Sequence, residues 1–226
     1  MKSGILLVLG VCLVLSAVPT AQQAGPIKAT GAIELKDAAG DMTPISSSSG
    51  DLPAVDVVLL AIKSDGARVT FTATLNDPPG RFATAPVTVL IDVDNNPATG
   101  TKPFGSKPGR FEYKAEVSLC IKHSDESESC SGGSTKGTPT VRYGAMNLTR
   151  LKGDSEYGGD TVIDNMGFPG ARPSVKTPVT AKVIEAAFDY ADIKAKPGQV
   201  IRLLAAESGS TPKDDGFFPI VLLTLK

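Results

Sequence analysis

Arg68-Val69-Thr70-Phe71-Thr72-Ala73-Thr74-Leu75-Asn76 alternates strictly between apolar and polar side chains. Val69, Phe71, Ala73 and Leu75 fall on one side, and Arg68, Thr70, Thr72 and Thr74 on the other. Successive side chains of an extended chain point to opposite faces, so this is a strand with one face in a core. Immediately before it, Ser64-Asp65-Gly66 is a turn signal. Ala54–Lys63, upstream of the turn, is apolar on both faces and reads as a central strand. The two strands and their turn predict a hairpin.

The same pattern recurs outward from this hairpin. Ile27–Lys36, Val87–Val93 and Arg110–His123 read as strands, the last with Phe111, Tyr113, Ala115, Val117, Leu119 and Ile121 on its apolar face. Val179–Asp189, Gln199–Ala206 and Phe218–Leu225 follow, with one helical turn at Tyr190–Ile193. Between residues 138 and 178 the alternation weakens. Thr140–Ala145 and Thr161–Asn165 are short strand candidates, and Gly153–Asp160 and Gly167–Pro173 read as loops. Gly 23 and Pro 17 make about 18 % of the 226 residues, against roughly 12 % in an average chain. Turns are thus favoured over long helices. The expectation is one all-β domain over 27–226, an antiparallel sandwich or barrel of about eight to ten strands.

Composition narrows function by exclusion. With 23 Lys+Arg against 24 Asp+Glu, no basic surface points to nucleic acid. A single His, His123, rules out a poly-histidine metal site. No nucleophile–base set stands out, which argues against an enzyme. Met1-Lys2, the apolar run Ile5–Val18 and the small and polar residues from Pro19 to Gln23 form the three parts of a secretory signal. The run is shorter than the roughly 20 residues of a membrane span. We expect cleavage after Ala21, a flexible leader at 22–26, a secreted or periplasmic product and no membrane span after signal removal. The mature chain keeps Cys120 and Cys130, and an exported even pair predicts a disulfide, with two free thiols as the alternative.

Asp92-Val93-Asp94-Asn95-Asn96-Pro97-Ala98-Thr99-Gly100 carries the most chemistry. Asp92, Asp94 and Asn96 are spaced by two where a strand enters a turn, which sets hard oxygen donors on one side of a bend. Ca²⁺ takes six to eight such oxygens. Pro97 occupies the position where an EF-hand needs Gly, and Pro103 the position of its Glu, so this is not an EF-hand. A metal site and an Asx-rich turn with solvated carboxylates fit the spacing equally well.

Asp37-Ala38-Ala39-Gly40-Asp41, Asp51-Leu52, Asp56-Val57, Ile91–Gly100, Gly109–Tyr113, Val183–Ile193 and Lys196–Ile201 occur in that order. This set resembles exported β-sandwich modules of the DOMON-like, family-nine carbohydrate-binding and glucodextranase C-terminal group, over residues 37–225. The resemblance implies a sandwich and a structural Ca²⁺ held by turn carboxylates: Asp92, Asp94 and Glu112 first, Asp41 and Asp56 next. It implies a non-catalytic module for carbohydrate or a cell-surface polymer. Such modules hold sugars between exposed rings, often Trp, and this chain has no Trp and four Tyr. Tyr157, set among glycines and acids, is the candidate ring, since Tyr113 falls on a core face. An exported structural or protein-interaction sandwich with no sugar site is the alternative.

Overall fold

The computed structural model of the chain describes residues 25–40, 42–43, 45–47, 50–52, 56–76, 87–102, 109–124, 128–129, 138–153, 155–164, 177–178, 182–207, 211–212 and 218–226. The signal segment, Asp41 and Cys130 lie outside them. In chain order the strands are β1 (Ile27–Thr30), β2 (Ala32–Lys36), β3 (Met42–Thr43), β4 (Ile45–Ser47), β5 (Gly50–Leu52), β6 (Val57–Ser64), β7 (Arg68–Leu75), β8 (Val87–Asp92) and β9 (Tyr113–His123). There follow β10 (Glu128–Ser129), β11 (Pro139–Lys152), β12 (Ser155–Asp164), β13 (Thr177–Pro178), β14 (Val183–Asp189), β15 (Val200–Glu207), β16 (Thr211–Pro212) and β17 (Val221–Thr224). One 3₁₀ turn, Tyr190–Ile193, lies between β14 and β15.

Two large sheets carry the fold. The first runs β1-β17-β15-β8-β9-β11-β12, with β10 added to β9 and β13 to β11. The second runs β14-β7-β6-β2. Leu60, Ile62, Val69, Phe71, Ile184 and Phe188 of the second sheet share one buried cluster with Val87, Val89, Ile91, Val117, Leu148, Leu203 and Leu223 of the first. The alternation that defined Arg68–Asn76 thus supplies one wall of a β-sandwich core. Phe71 and Phe188 sit at its centre with ring centroids 5.8 Å apart.

Three features depart from the expected strand pattern. Ile27–Lys36 is two strands, because Gly31 breaks it at φ +72°. The positive φ favours Gly there, and a Cβ would in addition push the flexible Lys226 side chain aside. The break lets β1 pair parallel with β17 in one sheet while β2 pairs with β6 in the other. The weakly patterned 138–165 region forms the long β11–β12 hairpin, and Ser155–Asp160 is strand rather than loop. β12 is a sheet edge with Gly159 to Val162 exposed, so it has little apolar alternation to display. Last, the pairing is not wholly antiparallel, given β1–β17. Among the described residues, no helix is long and apolar enough to cross a membrane.

Candidate metal centre

The end of β8 positions the site. Val89 and Ile91 point into the sandwich, so Leu90 and Asp92 point to the outer face of the first sheet. Antiparallel pairing sets Arg202 of β15 directly opposite Asp92 and Leu204 opposite Leu90. Leu90 and Leu204 join Phe111 and Leu151 in a small apolar cluster on that outer face. Beyond Asp92, Thr101 and Phe111 form an isolated antiparallel bridge, with N–H···O bonds of 2.8 and 2.9 Å in the two directions. The Thr101 hydroxyl anchors the bridge to the Gly153 carbonyl at 2.9 Å. Asp92 is buried, although it lies outside the sandwich core.

Asp92, Asp94 and Glu112 converge, each offering a carboxylate oxygen within 4.8 Å of the others. Two are held from behind. The Arg202 guanidinium donates from Nε to Asp92 Oδ2 at 2.7 Å, and the Val93 N–H donates to Glu112 Oε2 at 2.7 Å. The Asn96 N–H donates to Asp92 Oδ1 at 3.1 Å and Asp94 Oδ1 at 2.9 Å. Asn96 uses its side-chain oxygen to accept from the Ala98 N–H at 3.1 Å, closing the turn. Arg202 is fixed in turn. Phe111 lies 4.5 Å from ring centroid to guanidinium carbon, and Nη2 donates to the Arg110 carbonyl at 2.7 Å. Gly109 packs so closely on the guanidinium that a Cβ would overlap both terminal nitrogens.

Thr99 makes the charge imbalance visible. Its Oγ1 lies 3.0 Å from both Asp94 oxygens, 3.0 Å from the Asn96 carbonyl and 3.1 Å from Glu112 Oε1. A hydroxyl has one proton to donate, so most of these contacts set oxygen lone pairs against each other. Burial pushes the Asp92 carboxyl above its ordinary range, against the opposing hydrogen bond and charge of Arg202. Burial also pushes Glu112 up; the Val93 N–H opposes the rise and the Asp92 charge adds to it. Three carboxylates, one hydroxyl and one carbonyl form an all-oxygen set without His or Cys. It can hold a metal ion, and its chemistry fits a hard cation rather than zinc or copper.

The other expected residues lie elsewhere. Asp56 immediately precedes β6 in the second sheet, away from the cluster. Tyr157 falls on β12, and Cys120 is buried on β9. Arg202 and Thr99 were not singled out by spacing. Arg202 did leave a signal, as one charge within the apolar run Val200–Ala205. No protein-family model, curated protein or solved structure matches the chain.

Proposed function

We propose that the chain is an exported, non-catalytic binding module for carbohydrate or a cell-surface polymer, with its 92–112 connection clamped by a structural Ca²⁺. The observation that supports the clamp is the oxygen crowding at Thr99. An ion among these oxygens favours the ionised carboxylates and joins the end of β8 to the start of β9. Binding to the folded state alone stabilises by about 2.7 kcal/mol at a hundredfold excess over Kd. For a domain of this size that raises Tm by roughly 5–10 °C. Millimolar Ca²⁺ added to metal-free protein is expected to produce this rise, chelator to reverse it and Asp94→Ala to remove most of it. An unchanged melting curve would leave residues 92–100 as an Asx-rich turn.

Carbohydrate binding rests on the resemblance of residues 37–225 to exported sugar-binding sandwiches. A specific observation favours the alternative, a structural or protein-interaction sandwich: Tyr113, Tyr143 and Tyr190 are buried, which removes three rings as stacking platforms. Polysaccharide pull-down with wild type and Tyr157→Ala separates the two. Retention lost in the variant supports a sugar site; no retention of either protein supports the alternative.

Export and the Cys120–Cys130 bond belong to the same reading. β10 pairs with β9 through Glu128↔Lys122 and Ser129↔Ile121. The return of β10 alongside β9, next to Cys120, supports the pairing.

A further inference from the structure

At one rim of the second sheet, neighbouring strands bring together a lysine, an asparagine and a buried acid. The strands are β14, β7 and β6, side by side in that order. β6 and β7 pair as far as Val57↔Leu75, and the next residue, Asn76, donates its N–H to the Asp56 carbonyl at 2.9 Å. On the other side, Leu75 donates its N–H to the Lys182 carbonyl at 2.7 Å, one residue beyond the Val183↔Thr74 pair. Side chains close the set. Asn76 Nδ2 donates to Asp56 Oδ2 at 2.8 Å, and the Lys182 ammonium donates to the Asn76 carbonyl at 2.7 Å. A lysine nitrogen is therefore docked on the residue whose side-chain amide is held by a carboxyl group.

Asp56 is 7 % exposed. Its Oδ2 also accepts from the Gly40 N–H at 2.6 Å, which fixes the carboxyl group and, through it, the Asn76 amide. Its other oxygen, Oδ1, is shielded from solvent and has no hydrogen-bond partner. Buried polar atoms are nearly always satisfied, so this oxygen is an acceptor that lacks its donor. Lys182 is exposed, and an ammonium has no lone pair with which to attack. A base close by has to take its proton first, and a lysine amine beside such a base becomes a nucleophile. Holding the reacting groups together supplies much of the remaining rate. Rotation within the Lys182 side chain moves Nζ from the Asn76 main chain toward Cγ of the same residue.

We propose that Lys182 and Asn76 form an intramolecular isopeptide bond, with Asp56 as the proton carrier. Asp56 Oδ1 takes one proton from the ammonium, and the neutral amine attacks Asn76 Cγ. The Nζ–Cγ bond forms, a second proton passes from Nζ to Nδ2, and the Cγ–Nδ2 bond breaks to release ammonia. Asp56 returns the first proton to that ammonia, so ammonium departs and the carboxylate is restored. No oxidant or further reactant is needed. The bond ties β14, at the end of its sheet, to β7, and it depends on neither metal nor sugar. Mass spectrometry of the folded mature protein, denatured and reduced before measurement, tests it. Wild type should weigh one ammonia less than its sequence requires, and its digest should contain a branched peptide joining Asn76 to Lys182. Lys182→Arg keeps the charge and the donor but cannot be acylated, and it should have its full sequence mass. Asp56→Asn, which lacks the base, should do the same. Full sequence mass in folded wild type overturns the proposal. So does an ammonia loss that persists in Lys182→Arg, which would place ring closure within Asn76 itself. Should the variants fail to fold, the branched peptide in wild type decides alone: its presence supports the bond and its absence overturns it.

Discussion

Arg202 sets one positive charge against the three carboxylates of the 92–112 connection, and its removal exposes the balance of the site. Asp92 would then be buried without a cationic partner, a change that typically costs about 3–5 kcal/mol. We expect Arg202→Met to lower stability by that order in chelator, as read from denaturant unfolding. Asp92→Asn combined with Arg202→Met should recover part of the loss, because it removes the stranded charge. The pH dependence follows from the raised carboxyls. A folded pKa above the unfolded one means that the native state binds the proton more tightly. The resulting stability is fully present below the unfolded values, near 3.8 for Asp92 and 4.5 for Glu112, and is lost as pH rises through the folded ones. In chelator, wild type should therefore lose more stability between pH 4 and 7 than Glu112→Gln, which cannot ionise at that position. Equal losses in the two proteins would show that burial does not control this carboxyl. Spacing made Asp92 and Asp94 legible through period-two geometry, while Glu112 came from the resemblance and is brought beside them by the pairing of β8 with β9. Arg202 comes from a strand more than a hundred residues later, and local patterns do not encode which strands become neighbours.

At the scale of elements, the sequence was most readable where one sheet face is buried and the other is not. β7, β9 and β14 alternate because their inner faces supply the core. β12 alternates little, because it is a sheet edge on which Gly159 to Val162 are exposed, although Ile163 packs against the core. The split at Gly31 was hidden for a different reason. Apolar alternation continues through Ile27–Leu35, and the positive φ that sends the two halves to different sheets is not a property of hydropathy. β9 is the element whose covalent chemistry is most testable. Its Cys120 is buried, and β10 returns alongside Ile121 and Lys122. Thiol titration of exported, denatured, unreduced protein should find no free thiol on Cys120 or Cys130. Reduction should lower stability by roughly 2–3 kcal/mol, the chain-entropy value for so short a loop. Two reactive thiols per chain would refute the bond.

Over the whole molecule, the two described ends of the chain meet in one sheet, but they do not contribute equally. β17 lies between β1 and β15, and Val221, Leu223 and Leu225 are fully buried there. β1 is the edge strand, with Ile27 38 % exposed and Ala29 partly buried. Burial of a Val or Leu side chain is worth about 1.5–3 kcal/mol. Ending the chain at Pro219 therefore removes about 5–9 kcal/mol of apolar burial, before the lost β15 pairing is counted. Domains are stable by only about 5–15 kcal/mol in all. Starting the mature chain at Gly31 removes four pairs with β17 and little buried surface. The C-terminal truncation should be unfolded or insoluble, while the N-terminal one should stay folded with a Tm lower by a few degrees. Limited proteolysis and thermal melts of the two proteins check this. The asymmetry follows from burial rather than from distance to a terminus, since β1 and β17 are both four-residue strands at the ends of the described chain. A folded protein lacking residues 220–226 would mean that β15 alone can close the sheet, and that the core formed by β8, β9 and β11 holds without its neighbour.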